Sequence, residues 1–301
     1  MTAAGNPAVS TVGRPVWGGR RLPLSWLGTV PFFGYVAIFL LLPTVIIGVG
    51  SFITKDGAFT LSNLNEIHQK YVVSAFINGF VLSIESAIIG AVGGALLAYA
   101  VVTGNPQGVL RRLVSSACGV LAQFGGVTLA FAFIAAIGPA GIVYLFMQQH
   151  GVDIYPNGAV WLYKFPGLVL VYTYFQIPLM VLVFMPALDG IKPQWREATE
   201  TLGGGTWHYW RYVAGPLLLP AFTGASLLLF ANAFSAYATA NALINQGSII
   251  ITLLIGGEFS SEVGLSNPGI GDAQSLAMIV VVAIVMVSYS LLQRRTSRWL
   301  Q

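Results

Sequence analysis

The residues best suited to a chemical role form a polar, glycine-punctuated stretch between two long apolar segments, residues 197–220. Glu197 would lie in the first turns of a short helix that begins at Pro193, where the helix dipole favours a carboxylate. Glycines 203–205 would end that helix, because glycine readily adopts the positive φ of a C-terminal turn. A second short helix would then run over residues 206–214. The pattern predicts rigid short helices that can transmit a push.

Two further groups of polar residues lie within apolar segments. Glu85 is the only acid well inside such a segment, where an ionisable group is costly unless paired, protonated or hydrated. It could face a translocation path and attract a cationic substrate, or it could hold helices together through a hydrogen bond. Asn232, Ser235 and Thr239 are spaced three and four residues apart, which predicts one polar face of a helix. That strip could line a pathway or supply interhelical hydrogen bonds.

Other kinds of chemistry are not indicated. The three histidines, His68, His150 and His208, lie in different segments, so no metal site is predicted. Glycines 203–205 lack the Lys-Ser/Thr of a nucleotide-binding P-loop. No Ser/His/Asp arrangement and no basic tract with interleaved aromatic residues stands out. We therefore predict no catalytic residues, no cofactor held by this chain and no nucleic-acid binding.

The composition indicates a membrane protein. Of 301 residues, 56% are hydrophobic and 8% are charged, and the mean hydropathy is +0.77. A soluble domain carries about a quarter of charged residues, so this chain could not cover a soluble surface. The apolar runs are continuous, without the alternation of a membrane β-barrel. The single cysteine, Cys118, lies in an apolar segment and is expected to pack there.

Six apolar segments are long enough to cross a bilayer as helices. They cover residues 28–53, 73–103, 111–137, 161–187, 216–243 and 274–293. Residues 137–160 could hold a further short interfacial helix. The predicted fold is therefore all-α and polytopic, with a six-helix membrane domain over 28–295, a flexible tail over 1–27 and a second tail over 296–301.

The distribution of charge orients these spans. With the N-terminus inside, only three of the fourteen basic residues, Lys55, Lys70 and Lys164, fall on the outer side, together with six acids. Basic residues collect on the cytoplasmic side of membrane proteins. This asymmetry predicts that both termini and the 188–215 loop are cytoplasmic.

The stretch 197–220 resembles the EAA loop of the membrane-spanning permease subunits of bacterial ABC importers. The family pattern is Glu-Ala-Ala, three residues, Gly, and later a Pro that opens the next membrane helix. Glu197, Ala198 and Gly203 match this pattern, and Thr199 replaces the second Ala. Two further positions agree with the family, which has a Pro and often an aromatic residue there, namely Pro216 and Trp210. Residues 123–133 and 232–241 are similar to permeases for spermidine/putrescine or aminoethylphosphonate.

The resemblance implies a type I importer permease in the bacterial inner membrane. Glu197 would pair with a basic residue in a cleft of the ATPase, and Gly203 would let the loop reverse. The implied partners are a second, distinct permease, two cytoplasmic ATPase subunits that bind ATP and Mg²⁺, and an extracytoplasmic solute-binding protein. The implied substrate is a small polar solute such as a polyamine, with phosphonate, thiamine and ferric iron left open. The alternatives are an ion-gradient-driven transporter or channel, which Glu85 would favour, and a membrane enzyme.

Overall fold

The computed structural model describes residues 25–54, 57–104, 108–244, 250–260 and 267–297. Most of the predicted tails, and the charged residues Lys55, Asp56 and Glu262, lie outside these ranges. The described residues form α-helices and short turns, with one isolated bridge between Ile53 and Phe59. In chain order the α-helices are α1 (Ser25–Val36), α2 (Leu42–Gly50), α3 (Ser62–Asn65), α4 (Lys70–Thr103), α5 (Val109–Gln123), α6 (Gly126–Ile137), α7 (Ile142–Gln149), α8 (Phe165–Asp189), α9 (Pro193–Thr201), α10 (Thr206–Tyr209), α11 (Gly215–Ser235), α12 (Ala238–Leu243), α13 (Ile251–Ser260) and α14 (Pro268–Ser297).

The prediction of six membrane spans is confirmed in number. Among the described residues, six apolar helical segments are long enough to cross a bilayer: Thr29–Gly50, Lys70–Thr103, Gly126–Gln149, Phe165–Asp189, Thr206–Ser235 and Pro268–Leu291. Within residues 137–160 the structure has a short helix, α7, but it belongs to the third of these segments and is not a separate interfacial helix. The prediction of an all-α fold is therefore confirmed for the described residues. Two of the predicted spans, 111–137 and 216–243, have other helix boundaries than the sequence predicts.

The third predicted span, residues 111–137, is not one helix. It is divided into α5 and α6 by non-helical backbone at Phe124 and Gly125, and Gly126 has a φ of 68°. Such a φ is strained for residues with a side chain, so the glycines allow the break. The third span-length segment is Gly126–Gln149, and α5 precedes it as a separate 15-residue helix.

The predicted bounds of the fifth span, residues 216–243, are wrong at both ends. Helical backbone runs without interruption from Thr206 to Ser235, so the predicted short helix over 206–214 is continuous with the span. Ala236 and Tyr237 are not helical, and α12 begins after them. The hydroxyl of Tyr172, a buried residue of α8, donates a hydrogen bond of 2.5 Å to the carbonyl of Ala236. A buried carbonyl at a helix end needs such a donor.

The chain divides into two compact units, Met1–Ile46 and Ile47–Gln301. In the first unit, the described side chains from Thr29 onward are all at least partly exposed. The first unit also contains a π-helical turn, Ala37–Leu41.

The second unit is organised around α8, which packs against α4, α5 and α11. Glycines of α4 permit the α4–α8 approach. A Cβ added at Gly90 would lie 2.4 Å from Cβ of Gln176, and one at Gly94 would lie 2.4 Å from Cβ of Met180. Both distances are below van der Waals contact, so the absence of a side chain at Gly90 and Gly94 lets the backbones meet.

Candidate functional site

Helix α9 lies where the sequence predicts the first short helix. It begins at Pro193, as expected of a residue whose missing N–H would be unsatisfied in the first turn. Glu197 is the fifth residue of α9, so it lies in the second turn, beyond the strongest influence of the N-terminal dipole. Its side chain is exposed and forms no hydrogen bond or ion pair to any described residue. The carboxylate is thus available to a group outside the chain.

The end of α9 has the geometry of a Schellman motif. The N–H of Gly204 donates to the carbonyl of Thr199 at 2.9 Å, and the N–H of Gly203 donates to the carbonyl of Glu200 at 3.0 Å. Gly203 has a φ of 78°, which this motif requires at the position after the cap. The prediction that glycine ends α9 is therefore confirmed for Gly203, whereas Gly204 and Gly205 do not have positive φ.

Thr199, which departs from the family pattern, has a specific place in this turn. Its hydroxyl donates to the carbonyl of Trp195 at 2.8 Å, and its side chain is half-buried. A Cβ added at Gly204 would lie 2.8 Å from Cγ2 of Thr199 and 3.3 Å from Cβ of His208. The methyl group of Thr199 therefore fills the space that Gly204 leaves empty. Ala198, by contrast, is exposed.

Trp210 joins this loop to the membrane helices. Its ring meets the ring of Tyr99, near the end of α4, edge to face at a centroid distance of 5.3 Å. Beside them lies a cavity of about 260 Å³, lined also by Pro193 and Arg196 of α9 and by Tyr209. The tryptophan therefore packs inward, on the same side of the loop as the first turn of α9.

Pro216 is the second residue of α11, but helical backbone already precedes it in the continuous run from Thr206 to Ser235. The π-helical turn Trp210–Ala214 ends two residues before Pro216. Proline cannot donate the hydrogen bond that would continue an α-helical ladder. The change of ladder ends just before Pro216, where the proline would otherwise interrupt an α-helical ladder.

Glu85 lies near the middle of α4, on the side away from the core. Its neighbours Ser83 and Ser86 are buried, whereas Glu85 is exposed and forms no hydrogen bond or ion pair within the described chain. The interpretation that Glu85 locks helices of this chain together is therefore not supported. A role toward a substrate or toward another subunit is compatible with its position.

The predicted polar strip of the fifth span does not form one face. Asn232 and Ser235 are exposed on α11, but Thr239 is 2% exposed and belongs to α12, beyond the break at residues 236–237. The three-and-four spacing predicts a shared face only if the helix is continuous. Ser235 instead lies with Tyr237 and the buried Thr252 along a largely apolar cavity of about 580 Å³.

Several contacts were not predicted. Arg111 of α5 pairs with Asp189, the last residue of α8, at 2.5 Å, and Arg196 pairs with Glu200 within α9 at 3.1 Å. The i,i+4 spacing could have revealed the second pair. The first joins residues 78 positions apart, so only the tertiary structure brings them together. The described residues contain no cluster of three potential metal ligands.

Comparisons with known proteins address the family. No protein-family model matches the chain. The spermidine/putrescine transport system permease protein PotB of Haemophilus influenzae is 22% identical over 268 residues, which cover 85% of this chain and 90% of PotB. The ferric transport system permease protein FbpB of Actinobacillus pleuropneumoniae is 24% identical over 270 residues, which cover 87% of this chain but 37% of FbpB. The chain likewise spans 42% and 39% of the length of two other relatives.

A solved structure shares the fold. A chain of a bacterial ABC transporter involved in the import of the polysaccharide alginate matches with a TM-score of 0.74 and 17% identity, covering 90% of this chain and 95% of that chain. The chain is a relative of the ABC importer permeases. This chain is accordingly a multi-pass protein of the bacterial inner membrane. These relatives are named as permease proteins of transport systems, and they differ in the substrate that their names give.

Proposed function

We propose that this permease is a transmembrane subunit of an ATP-driven importer and that α9 is the helix through which the ATPase acts on it. One observation carries the proposal: α9 presents an unpaired carboxylate, Glu197, and its C-terminal end is fixed by the Schellman turn. Pro193 and Arg196, in its first turn, face the same cavity as Tyr99 and Trp210. A rigid element of this kind passes on a displacement that a flexible loop would absorb.

The surface around α9 suits a protein partner. Leu202 is 88% exposed, and the nearby Trp207 is 70% exposed, although both are large and apolar. Exposed apolar side chains beside a charged group are typical of a contact surface. A cytoplasmic ATPase with a basic residue opposite Glu197 and an apolar cleft for Leu202 would fit. ATP and Mg²⁺ would be bound by that subunit.

The remaining partners follow from the same proposal. Six spans would form half of a pathway, so a second, distinct permease would complete it, with a second ATPase beneath it. A solute-binding protein would dock on the outer loops. ATP binding would close the ATPases and open the pathway outward, and hydrolysis would reset it. In this arrangement both termini and the 188–215 loop are cytoplasmic, as the positive charge predicts.

The test compares two charge reversals in α9, Glu197→Arg and Glu200→Arg. Both residues are exposed acids of the same helix, but the carboxylate of Glu200 is already paired with Arg196. We expect Glu197→Arg to reduce ATPase co-purification and stimulated ATP hydrolysis at least tenfold, because a repelled contact replaces an attractive one. Glu200→Arg should retain most of both.

The outcome distinguishes an ATP-driven importer coupled through Glu197 from a gradient-driven transporter. Equal docking and hydrolysis for both variants and the unmodified complex would exclude Glu197 as the coupling contact, whereas an unmodified protein that binds no ATPase would favour a gradient-driven transporter. Equal loss for both variants would mean that the overall charge of the loop matters and that Glu197 has no special role. The yield of monodisperse permease is the control for folding.

For the substrate, we propose a small cationic solute such as a polyamine. The support is the unpaired, exposed Glu85 at mid-depth of α4, together with PotB, a relative over most of this chain. A carboxylate in a low-dielectric pathway attracts a cation more strongly than it would in water. Ferric iron, thiamine and sugars appear among the names of other relatives, so these are the competing cargoes.

Uptake of labelled spermidine by cells with the complete importer tests this proposal. Glu85→Gln should lower uptake at least fivefold, and Glu85→Asp should restore part of it. Ile89→Gln, a polar change at another exposed position of α4, should have little effect. Unchanged uptake in Glu85→Gln would exclude the pathway role. Saturable uptake of thiamine or ferric iron, without uptake of spermidine, would exclude a polyamine as the substrate.

A further inference from the structure

The ion pair between Arg111 and Asp189 joins two charges that are each unfavourable in their own helix. Arg111 is the third residue of α5, where the helix dipole is positive, and Asp189 is the last residue of α8, where the dipole is negative. Neither charge is stabilised by the dipole of its own helix. The sequence tolerates both because Nη2 of Arg111 meets Oδ2 of Asp189 at 2.5 Å across the two helices.

The pair is partly withdrawn from solvent. The side chain of Arg111 is 23% exposed and that of Asp189 is 39% exposed. An ion pair in this position is less screened than one on the open surface, and its charge-assisted hydrogen bond has a defined direction. By contrast Arg112, the next residue, is exposed and forms no ion pair with a described residue.

The contact continues along the two helices. Ser115, one turn beyond Arg111, places its hydroxyl 3.7 Å from the sulfur of Met185, one turn before Asp189. One turn farther, Cys118 is buried in the cluster that contains Met185. Helices α5 and α8 therefore run antiparallel in a fixed register, with the ion pair at the end of that contact.

Each end of this helix pair adjoins an element that could move. Asp189 is followed by three residues, 190–192, and then by α9. At its other end α5 stops at Phe124, and Gly126 of α6 lies beside Ala238 of α12, since a Cβ added at Gly126 would be 3.7 Å from Cβ of Ala238. The helices that follow the two breaks, α6 after α5 and α12 after α11, thus pack against each other. Twelve residues of helix, 112–123, or about 18 Å, separate Arg111 from the end of α5.

We propose that the Arg111–Asp189 pair is a strut that makes α5 move with the junction of α8 and α9, so that a displacement of α9 reaches the two helix breaks. Arg111 and Asp189 are positioning residues in this scheme and contact neither nucleotide nor substrate. The proposal rests on the proposed role of α9. It adds that α5, which the sequence assigns to an ordinary span, transmits the movement.

The experiment measures the angle between α5 and α6 in the assembled importer. Spin labels are placed at Val120→Cys on α5 and Phe131→Cys on α6, two exposed positions on either side of the break, in a Cys118→Ala background. Their distance distribution is recorded by electron paramagnetic resonance without nucleotide and after trapping with ATP and vanadate. We expect a nucleotide-dependent change in the unmodified pair.

Four further backgrounds locate the cause of that change. Asp189→Asn and Arg111→Gln should each reduce the population shift at least twofold, whereas Arg112→Gln, an equal loss of charge, should leave it intact. The reversed pair, Arg111→Asp with Asp189→Arg, should restore it, because the ion pair re-forms with each charge now favoured by its helix dipole. A merely stabilising pair would change the yield of folded permease but not this shift.

The overturning results are distinct from a failure of the coupling proposal. An unchanged shift in Asp189→Asn, no shift in the unmodified labelled importer with ATPase bound, or an assembled reversed pair that does not restore the shift would each exclude the strut. Normal docking in Glu197→Arg would instead exclude Glu197 as the coupling contact. If single variants yield no folded complex, the reversed pair alone decides.

Discussion

At the scale of single residues, the C-terminal turn of α9 depends on a match between Thr199 and Gly204. The threonine methyl group occupies the volume in which a side chain at position 204 would lie, since a Cβ there would be 2.8 Å from it. The departure from Ala at position 199 is thus accommodated by a neighbouring glycine. The exposed residues Glu197 and Ala198 remain on the outer surface of the helix.

Replacing Gly203 tests this turn. Gly203→Ala places a side chain at a φ of 78°, which should destabilise the turn by about 1 kcal/mol and reduce ATPase docking. Gly205→Ala is the matched control, because Gly205 has a φ of −87° and open space at its Cβ position. Co-purification of the ATPase is the measurement. Equal effects of the two substitutions would contradict the importance of the left-handed turn.

At the scale of elements, the described structure differs most from the sequence prediction where helices break. The break before α6 has a local signal, since Gly125 and Gly126 stand together. The break after Ser235 contains no glycine or proline, and it coincides with a hydrogen bond from Tyr172 of α8. A donor from another helix satisfies the freed carbonyl of Ala236, which no pattern within the fifth span could indicate.

The contact between α4 and α8 gives a prediction with an internal control. Gly94→Ala should lower the free energy of unfolding by about 1–3 kcal/mol, because its Cβ would lie 2.4 Å from Cβ of Met180 and 2.7 Å from the carbonyl oxygen of Ile177. Gly93→Ala should be tolerated, since its nearest neighbour would be a flexible end of Ile177 at 3.5 Å. Thermal unfolding of the detergent-purified complex distinguishes them. Equal melting temperatures would show that the helices can separate without cost.

At the scale of the whole molecule, the polar helix α9 follows directly on the long apolar helix α8, whereas Glu85 lies near the middle of α4. Helix α8 connects these parts, since it packs on α4, α5 and α11 and leads directly to α9. A movement of α9 would therefore act on α8, the helix that contacts α4, α5 and α11. This makes the orientation of the bundle in the membrane a testable part of the proposed function.

Cysteine labelling checks that orientation. In a Cys118→Ala background, Leu202→Cys should react with an impermeant maleimide only after the membrane is opened, and Phe59→Cys should react in intact spheroplasts. Both positions are highly exposed, so access depends on the side of the membrane and not on burial. The physical basis is the excess of basic residues on the predicted inner side. The opposite labelling pattern would invert the proposed topology and exclude an ATPase at α9.

The sequence by itself determined the membrane class, the number of spans and the short helix that begins at Pro193 and ends before Gly203. These features depend on local composition and on the backbone preferences of proline and glycine, which are present in the sequence whatever the fold. The tertiary structure decided where α11 breaks, which glycines allow α4 to meet α8, and that Arg111 pairs with Asp189. Each of these joins residues far apart in the chain, so its energy exists only once the helices have packed.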